Sequence, residues 1–338
     1  MVDYQGNVAG QGLNTILSVG LEESAYGTAA DAEMHTGLAD EVNLGEEDQL
    51  YEGRGITNTR TLTNLTTIAR KYPVSIRGKV ESGVPFAMIG GFIQNAAKDA
   101  VHAANVTDPF ISVMRGASHT TPSQVYLPSW TIGRTFDDET DYIRVLGTTF
   151  DTGTFSCDLD GPWSYDLSGI GQSSDIDTSV SGVAVGGFPL GSWNTTVKCD
   201  PNGTTSFVDD AGSLAMYGLK NIAFSVNNNL RTRNEFGSTA PVSIRQSKFG
   251  QSNIELRLTR GYIDNDLWAL IVAGTAMSFE AETTDGTCTI THEFDLCRFK
   301  TLQQSTGLDD ETVETAVLTV KDWNCVSTAD GITYVAWD

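Results

Sequence analysis

Histidine, cysteine and basic residues are scarce in this chain, and each shortage excludes a class of chemistry. Four histidines, His35, His102, His119 and His292, stand alone with no second His or Cys at metal-ligand spacing. The five cysteines, Cys157, Cys199, Cys288, Cys297 and Cys325, are odd in number and contain no CxxC pair, so neither a zinc site nor a complete disulfide framework is expected. Cys297 and Cys325 fall in predicted strands, where a small buried thiol is the ordinary reading. No GxSxG, HExxH or phosphate loop occurs, and Gly53-Arg54-Gly55 lacks the third glycine of a dinucleotide fingerprint, so it reads as a turn. No run approaches the ~18 apolar residues of a spanning helix and no basic-plus-apolar leader opens the chain, so a soluble protein without membrane contact is expected. Lys and Arg number 21 against 43 Asp and Glu, a net charge of −22. Such a surface repels nucleic acid and anionic membranes, and it suits a high-salt solvent in which screening makes dense like charge tolerable. A halophilic source is expected.

What is present indicates a folded, β-rich protein: 40% apolar residues, 34 glycines and many short Thr- and Val-containing runs. The chain is organised around Ile254 to Ala276. There Ile254, Leu256 and Leu258 alternate with polar residues as in a strand, and Leu267, Leu270, Ile271 and Gly274 then recur at helical spacing behind a cap at Asn265-Asp266. Gly274 and Ala273 are expected to let this helix lie close to a sheet. Val74 to Ile93 repeats the order, with Val74, Ile76 and Val80 alternating before Pro85 opens a helix with Phe86, Ile89, Gly90 and Ile93 on its apolar face. The acidic stretches Phe136 to Thr140 and Leu308 to Thr312 precede strands at a similar separation, which points to an internal duplication. The expected organisation is an N-terminal arm and first domain over 1–157, a Gly/Ser/Asp-rich β insert or connection over 158–212, and a second domain over 213–338.

Thr15 to Leu21 is expected as an arm or edge strand, 96–128 as irregular, and Gly53 to Lys71 and Asn227 to Gly250 as long polar connections. Basic residues concentrate near those connections, six in 54–79 and seven in 220–260. On so acidic a chain this local excess needs a partner, and acidic surfaces of identical copies are the simplest one. Candidate contacts between subunits or rings are Arg54, Arg60, Arg70, Lys71, Arg231, Arg233, Arg245 and Lys248. Asp158-Leu159-Asp160-Gly161 lacks the third ligand and terminal Glu of a calcium loop, so no metal, cofactor or catalytic residue is assigned and the chain is not expected to be an enzyme. His292 is expected as a satisfied, partly buried histidine on the face of Phe294 and Leu296.

The opening Glu22-Glu23-Ser24-Ala25-Tyr26-Gly27-Thr28-Ala29, the strand and basic loop ending in Ser252 to Gly261, the helix after it and the final hairpin strands resemble the tail tube (major tail) proteins of long-tailed viruses. The resemblance implies a mainly β fold: two repeated β-sandwich or split-barrel domains, each with one flanking helix, whose inner sheets close a β-barrel channel on oligomerisation. It implies a structural virion protein of the tail, assembled in the host cytoplasm as stacked rings that conduct viral DNA without binding it specifically. Its partners would be itself, as a trimer with pseudo-sixfold symmetry or alternatively a hexamer, and other tail proteins at the tube ends. Gly53–Lys71 and Asn227–Gly250 match the loop that reaches the neighbouring ring. The acidic bias points to a virus of a halophilic archaeon, and a negative lumen is expected to keep DNA from sticking. The rival from another class is a carbohydrate-binding or glycan-active β-protein, with Trp163, Tyr165 and Trp193 stacking on sugars.

Overall fold

Alternation of apolar and polar residues governs nearly every element of the computed structural model, which describes residues 15–21, 34–53, 64–80, 95–96, 110–115, 129–136, 142–177, 182–184, 189–200, 208–209, 218–233, 243–246, 253–286, 288–306 and 311–329. The first strands are β1 (Thr15–Leu21), β2 (Met34–Leu38), β3 (Glu41–Leu44), β4 (Glu47–Gly53) and β5 (Asn64–Lys79). There follow β6 (Asn95–Ala96), β7 (Phe110–Arg115), β8 (Trp130–Phe136), β9 (Tyr142–Asp158), β10 (Ser164–Gly171), β11 (Ser173–Asp177) and β12 (Gly182–Ala184). Next come β13 (Thr195–Asp200), β14 (Val208–Asp209), β15 (Leu219–Asn227), β16 (Leu230–Arg233), β17 (Ser243–Gln246) and β18 (Asn253–Gly261). Helix α1 (Asp266–Ala273) precedes β19 (Met277–Thr284), β20 (Cys288–Ser305), β21 (Val313–Val320) and β22 (Asp322–Ala329).

A central antiparallel sheet runs in the order β3-β5-β10-β9-β15-β18-β21-β20. One face is dry. Val42, Ile76, Leu167, Phe155, Phe224, Leu256 and Leu318 lie on it, all buried, and each such side chain contributes about 1.5–3 kcal/mol of burial. Two outer sheets cover it. One is β12-β2-β1-β8-β9-β11, with β12 parallel to β2, and the other is β14-β13-β19-β20-β22-β7-β6.

The long strands β9 and β20 each belong to two sheets. The start of β9 pairs with β8 and β11, whereas its end pairs with β10 and β15. The start of β20 pairs with β19 and β22, and its end pairs with β21. The change of sheet falls at a residue of positive φ, Gly147 (65°) in β9 and Leu296 (49°) in β20. The next residue then donates to a carbonyl three positions back, Thr148 to Val145 and Cys297 to Phe294. Strand β9 further carries a bulge at Asp151 against β10, and β20 one at Lys300 against β21.

Several expectations are corrected by this topology. Within residues 158–212, expected as a β insert or connection, β10 lies in the middle of the central sheet, between β5 and β9, because Tyr165, Leu167, Gly169 and Gly171 alternate inward. Strand β1 is not an edge but sits between β2 and β8. Within 96–128, β7 is a strand paired to β22. The segment Thr315 to Trp323 is two strands, broken at Lys321. The acidic stretches lead into strands in different places, since β9 follows β8 and pairs with it whereas β21 forms a hairpin with β20. The strand-turn-helix order of Ile254 to Ala276 is present, but Gly274 is the left-handed C-cap and Ala273 is exposed, so neither brings the helix against the sheet. Asn265 makes no side-chain cap, because its carbonyl oxygen accepts the Tyr262 hydroxyl. The matching helix over Pro85 to Ile93 lies outside the described residues.

Candidate assembly surface

Two edges of the central sheet are open. Among the described residues, β3 pairs on one side only, with β5, and the end of β20 pairs on one side only, with β21. Unpaired N–H and C=O groups on such edges are templates for another strand. Beside β3 stand Asp40, Glu41, Glu46, Glu47 and Asp48, whereas the open part of β20 carries Arg298 and Lys300, all of them exposed.

The face of the central sheet away from the core is wet. One cross-strand row reads Glu41, Arg77, Asp166, Thr154, Ser225, Glu255, Thr319 and Arg298. Neighbouring rows are hydroxyl- and amide-rich, with Thr152 to Ser168 at 2.6 Å, Ser156 to Ser164 at 3.0 Å and Asn43 to Ser75 at 3.3 Å. Lys300 reaches Glu255 here at 2.9 Å. Both signs of charge therefore share this face, and it is not the acidic surface expected of a lumen.

Both polar connections carry paired strands among their described residues, so neither is loop throughout. In the first, β4 pairs with Asn64–Lys71 of β5. Lys71 registers with Glu47 and Arg70 with Asp48, and Arg70 forms ion pairs with Glu46 at 3.1 Å and Asp48 at 3.0 Å. A side-chain hydrogen bond with Tyr72, then these two carboxylates, push the Arg70 pKa further up. Arg70 is thus engaged within its own chain. In the second hairpin, β16 pairs with β17, and Arg231 registers directly opposite Arg245 with Arg233 at the end of the pair. The candidates Arg54, Arg60 and Lys248 lie outside the described residues.

The side chains singled out for chemistry are structural. His292 shares the buried face of Phe294 but not of Leu296, which the turn in β20 sends outward. Ring centroids of Phe224, Trp163 and Trp323 lie 5.0, 5.8 and 5.9 Å from it. Burial there lowers its pKa to about 3, and its Nδ1 has no hydrogen-bond partner, so it is not the satisfied histidine expected. Cys157, Cys199 and Cys297 are buried free thiols. Burial, with Asp158 second, pushes Cys157 up to about 12, which suppresses the reactive thiolate. Trp163 and Tyr165 are core residues at 2% and 4% exposure, Trp163 donating to Thr195 Oγ1 at 2.9 Å, so only Trp193 of the three aromatics could meet a sugar. Asp158 accepts from the Asn221 amide at 2.8 Å in the β9–β10 turn. Among the described residues no three His, Cys, Asp or Glu side chains are grouped to hold a metal, and no helix is long and apolar enough to cross a membrane.

Sequence reasoning missed Arg298 and Lys300 as edge cations. They stand outside both basic clusters, and only the sheet order shows that β20 ends the sheet.

No curated protein matches this chain. Among solved structures, it is similar to a chain from the tail of an empty GTA particle, solved by helical refinement with C6 symmetry. The two are 12% identical with a TM-score of 0.29, and the match covers 43% of this chain and 97% of the other. The model of the phage tail tube protein family matches residues 12–320. That family is one of structural tail components, not of enzymes, and this chain belongs to it.

Proposed function

We propose that this chain is the subunit of a viral tail tube in which copies join edge to edge into rings, the rings stack, and the wet faces of the central sheets enclose a channel that conducts viral DNA. The observation that carries this is the pair of open edges on one curled sheet with a dry and a wet face. Closure into a barrel removes both edges. A face of hydroxyls, amides and interleaved opposite charges offers passing DNA no continuous basic track, so it slides without specific binding.

The strand order supports a duplicated chain. The set β3-β5-β10-β9 is matched place for place by β15-β18-β21-β20. The bridge from the Val80 amide to the Trp163 carbonyl recurs from the Tyr262 amide to the Thr312 carbonyl, and that from Gln172 to Leu146 recurs from Lys321 to Asp295. The boundary between the units then falls between β12 and β13 and not at 157 and 213. Three such chains give a ring with pseudo-sixfold symmetry, and the projecting hairpins, with Arg231, Arg233 and Arg245 in the second, reach the next ring. The net charge of −22 supports a virus of a halophile as the source.

Negative-stain microscopy of the purified chain at rising concentration and NaCl tests this. Stacked rings with a central hole, lengthening as salt screens repulsion between subunits, are expected. A uniform monomer at every condition overturns it.

A further inference from the structure

The chain already contains one junction of the kind the tube requires, and its register can be carried over to the junction between copies. At the internal junction, the end of β9 meets β15 with Phe155 opposite Phe224 and Cys157 opposite Ile222. Strand β20 holds the place of β9, because the positive-φ turns at Gly147 and Leu296, the contacts of Thr148 and Cys297, and the bulges at Asp151 and Lys300 coincide in order and spacing. Strand β3 holds the place of β15: Val42 is opposite Ile76 and Ile222 opposite Leu258, and the Val80 and Tyr262 bridges set Ile76 equivalent to Leu258.

We propose that the open edge of β20 docks on β3 of a second copy of this chain in the register of the internal junction, placing Gln304 opposite Leu44, Ser305 opposite Asn43 and Thr306 opposite Val42, with Lys300 against the acidic end of the run at Glu47 and Asp48. It rests on the tube reading and adds its register and its charge chemistry. At the internal junction, the bulged Asp151 accepts the Leu230 amide on its carboxylate at 2.7 Å and the Asn228 amide on its carbonyl at 2.7 Å. At the equivalent bulge, Lys300, which also reaches Glu255 of its own chain, brings a cation, and the segment facing it, where β3 passes into β4, brings Glu47 beside Glu46 and Asp48, which pair with Arg70. A carboxylate that accepts backbone amides inside the chain is replaced at this bulge by a cation that faces carboxylates, so each contact joins unlike partners. Polarity differs too. Gln304 and Thr306 stand where Phe155 and Cys157 stand inside the chain, so the edge is stable in water before it is covered.

The test uses the full chain under conditions where the wild type forms rings or tubes. Asn43→Cys with Ser305→Cys, both exposed on the wet face, is oxidised and run on a non-reducing gel beside a pair displaced by two residues, Asn43→Cys with Gln303→Cys. A covalent ladder in the first pair and little in the second is expected. Cross-linking of the displaced pair in preference, or normal tubes with no cross-link in either, overturns the register while leaving the tube reading intact. Absence of any wild-type assembly overturns both. Lys300→Glu in the first pair lowers the cross-linked yield at low salt by about fivefold, the scale of one exposed ion pair lost, and Glu47→Lys in the same chain restores part of it. A yield indifferent to both changes removes the charge contact from the proposal.

Discussion

On the proposed duplication, two rows of the central sheet hold corresponding places and solve the same packing problem with opposite chemistry. In the first half, Gly78, Tyr165 and Phe155 lie side by side, and a Cβ on Gly78 would come 2.5 Å from the Tyr165 hydroxyl. In the second half the same places hold Arg260, Glu314 and Gln304. Arg260 and Glu314 are 2% and 1% exposed, with Arg260 Nη2 2.9 Å from Glu314 Oε2, Asp264 3.4 Å from the same nitrogen, and Gln304 donating to Glu314 Oε1 at 2.6 Å. The first row adjoins β15, where Phe155 stacks on Phe224 at 4.8 Å, and is never uncovered once the chain folds. The second adjoins the open edge of β20. An ion pair backed by an amide leaves no apolar row beside this edge, and inward-pointing charge is a known defence of sheet edges.

The largest expected effects come from breaking either row. Glu314→Ala takes the nearer carboxylate from the buried Arg260 guanidinium, leaving the longer Asp264 contact, and costs about 3 kcal/mol, while Phe155→Ala opens a cavity under Phe224 and costs about 3–5 kcal/mol. Transplanting the dry row by Arg260→Gly with Glu314→Tyr replaces the ion pair with packed apolar surface and costs much less, under about 2 kcal/mol. Urea denaturation of the unassembled chain measures all three. A double variant as damaged as Glu314→Ala would show that the two rows are not interchangeable.

The next effect separates His292 from its counterpart in β9, Ile143, which stands opposite Ile176 as His292 stands opposite Cys325. The folded chain keeps His292 neutral down to about pH 3, whereas the unfolded chain protonates it below about pH 6.5. Its contribution to stability is therefore intact above about pH 6.5 and declines as pH falls toward 3, by about 1.4 kcal/mol per unit. His292→Ile removes that part of the slope, so wild type loses about 2 kcal/mol more stability than the variant between pH 7 and pH 5. Parallel stability profiles between pH 5 and 7 would contradict it.

The smallest effect contrasts the two sheet-changing turns. Gly147→Ala places a side chain at φ 65° and costs about 1 kcal/mol, whereas Leu296→Gly relieves a residue at φ 49° that is already 37% exposed and is neutral to stabilising within about 1 kcal/mol. Thermal melts of the two variants displaced in the same direction by the same amount would show that the turns are not equivalent.

The sequence by itself determined the strands whose two faces differ, such as Ile254 to Thr259 and Ile222 to Val226, since period-two alternation is local and burial follows it. It also determined the acidic balance and, through the order of its segments, the family. Tertiary structure alone decided the rest. Strand β10 is central although its Ser, Asp and Gly content reads as a turn-rich connection, because its neighbours β5 and β9 supply the apolar bulk that its own glycines lack. Arg70 is spent inside its own hairpin while Arg231 opposes Arg245, a difference of cross-strand register that composition does not encode. The open edges at β3 and β20, and the cations Arg298 and Lys300 on one of them, depend on which strands pair across long separations. Such pairing is set by the packing of the whole sheet and not by any local pattern along the chain.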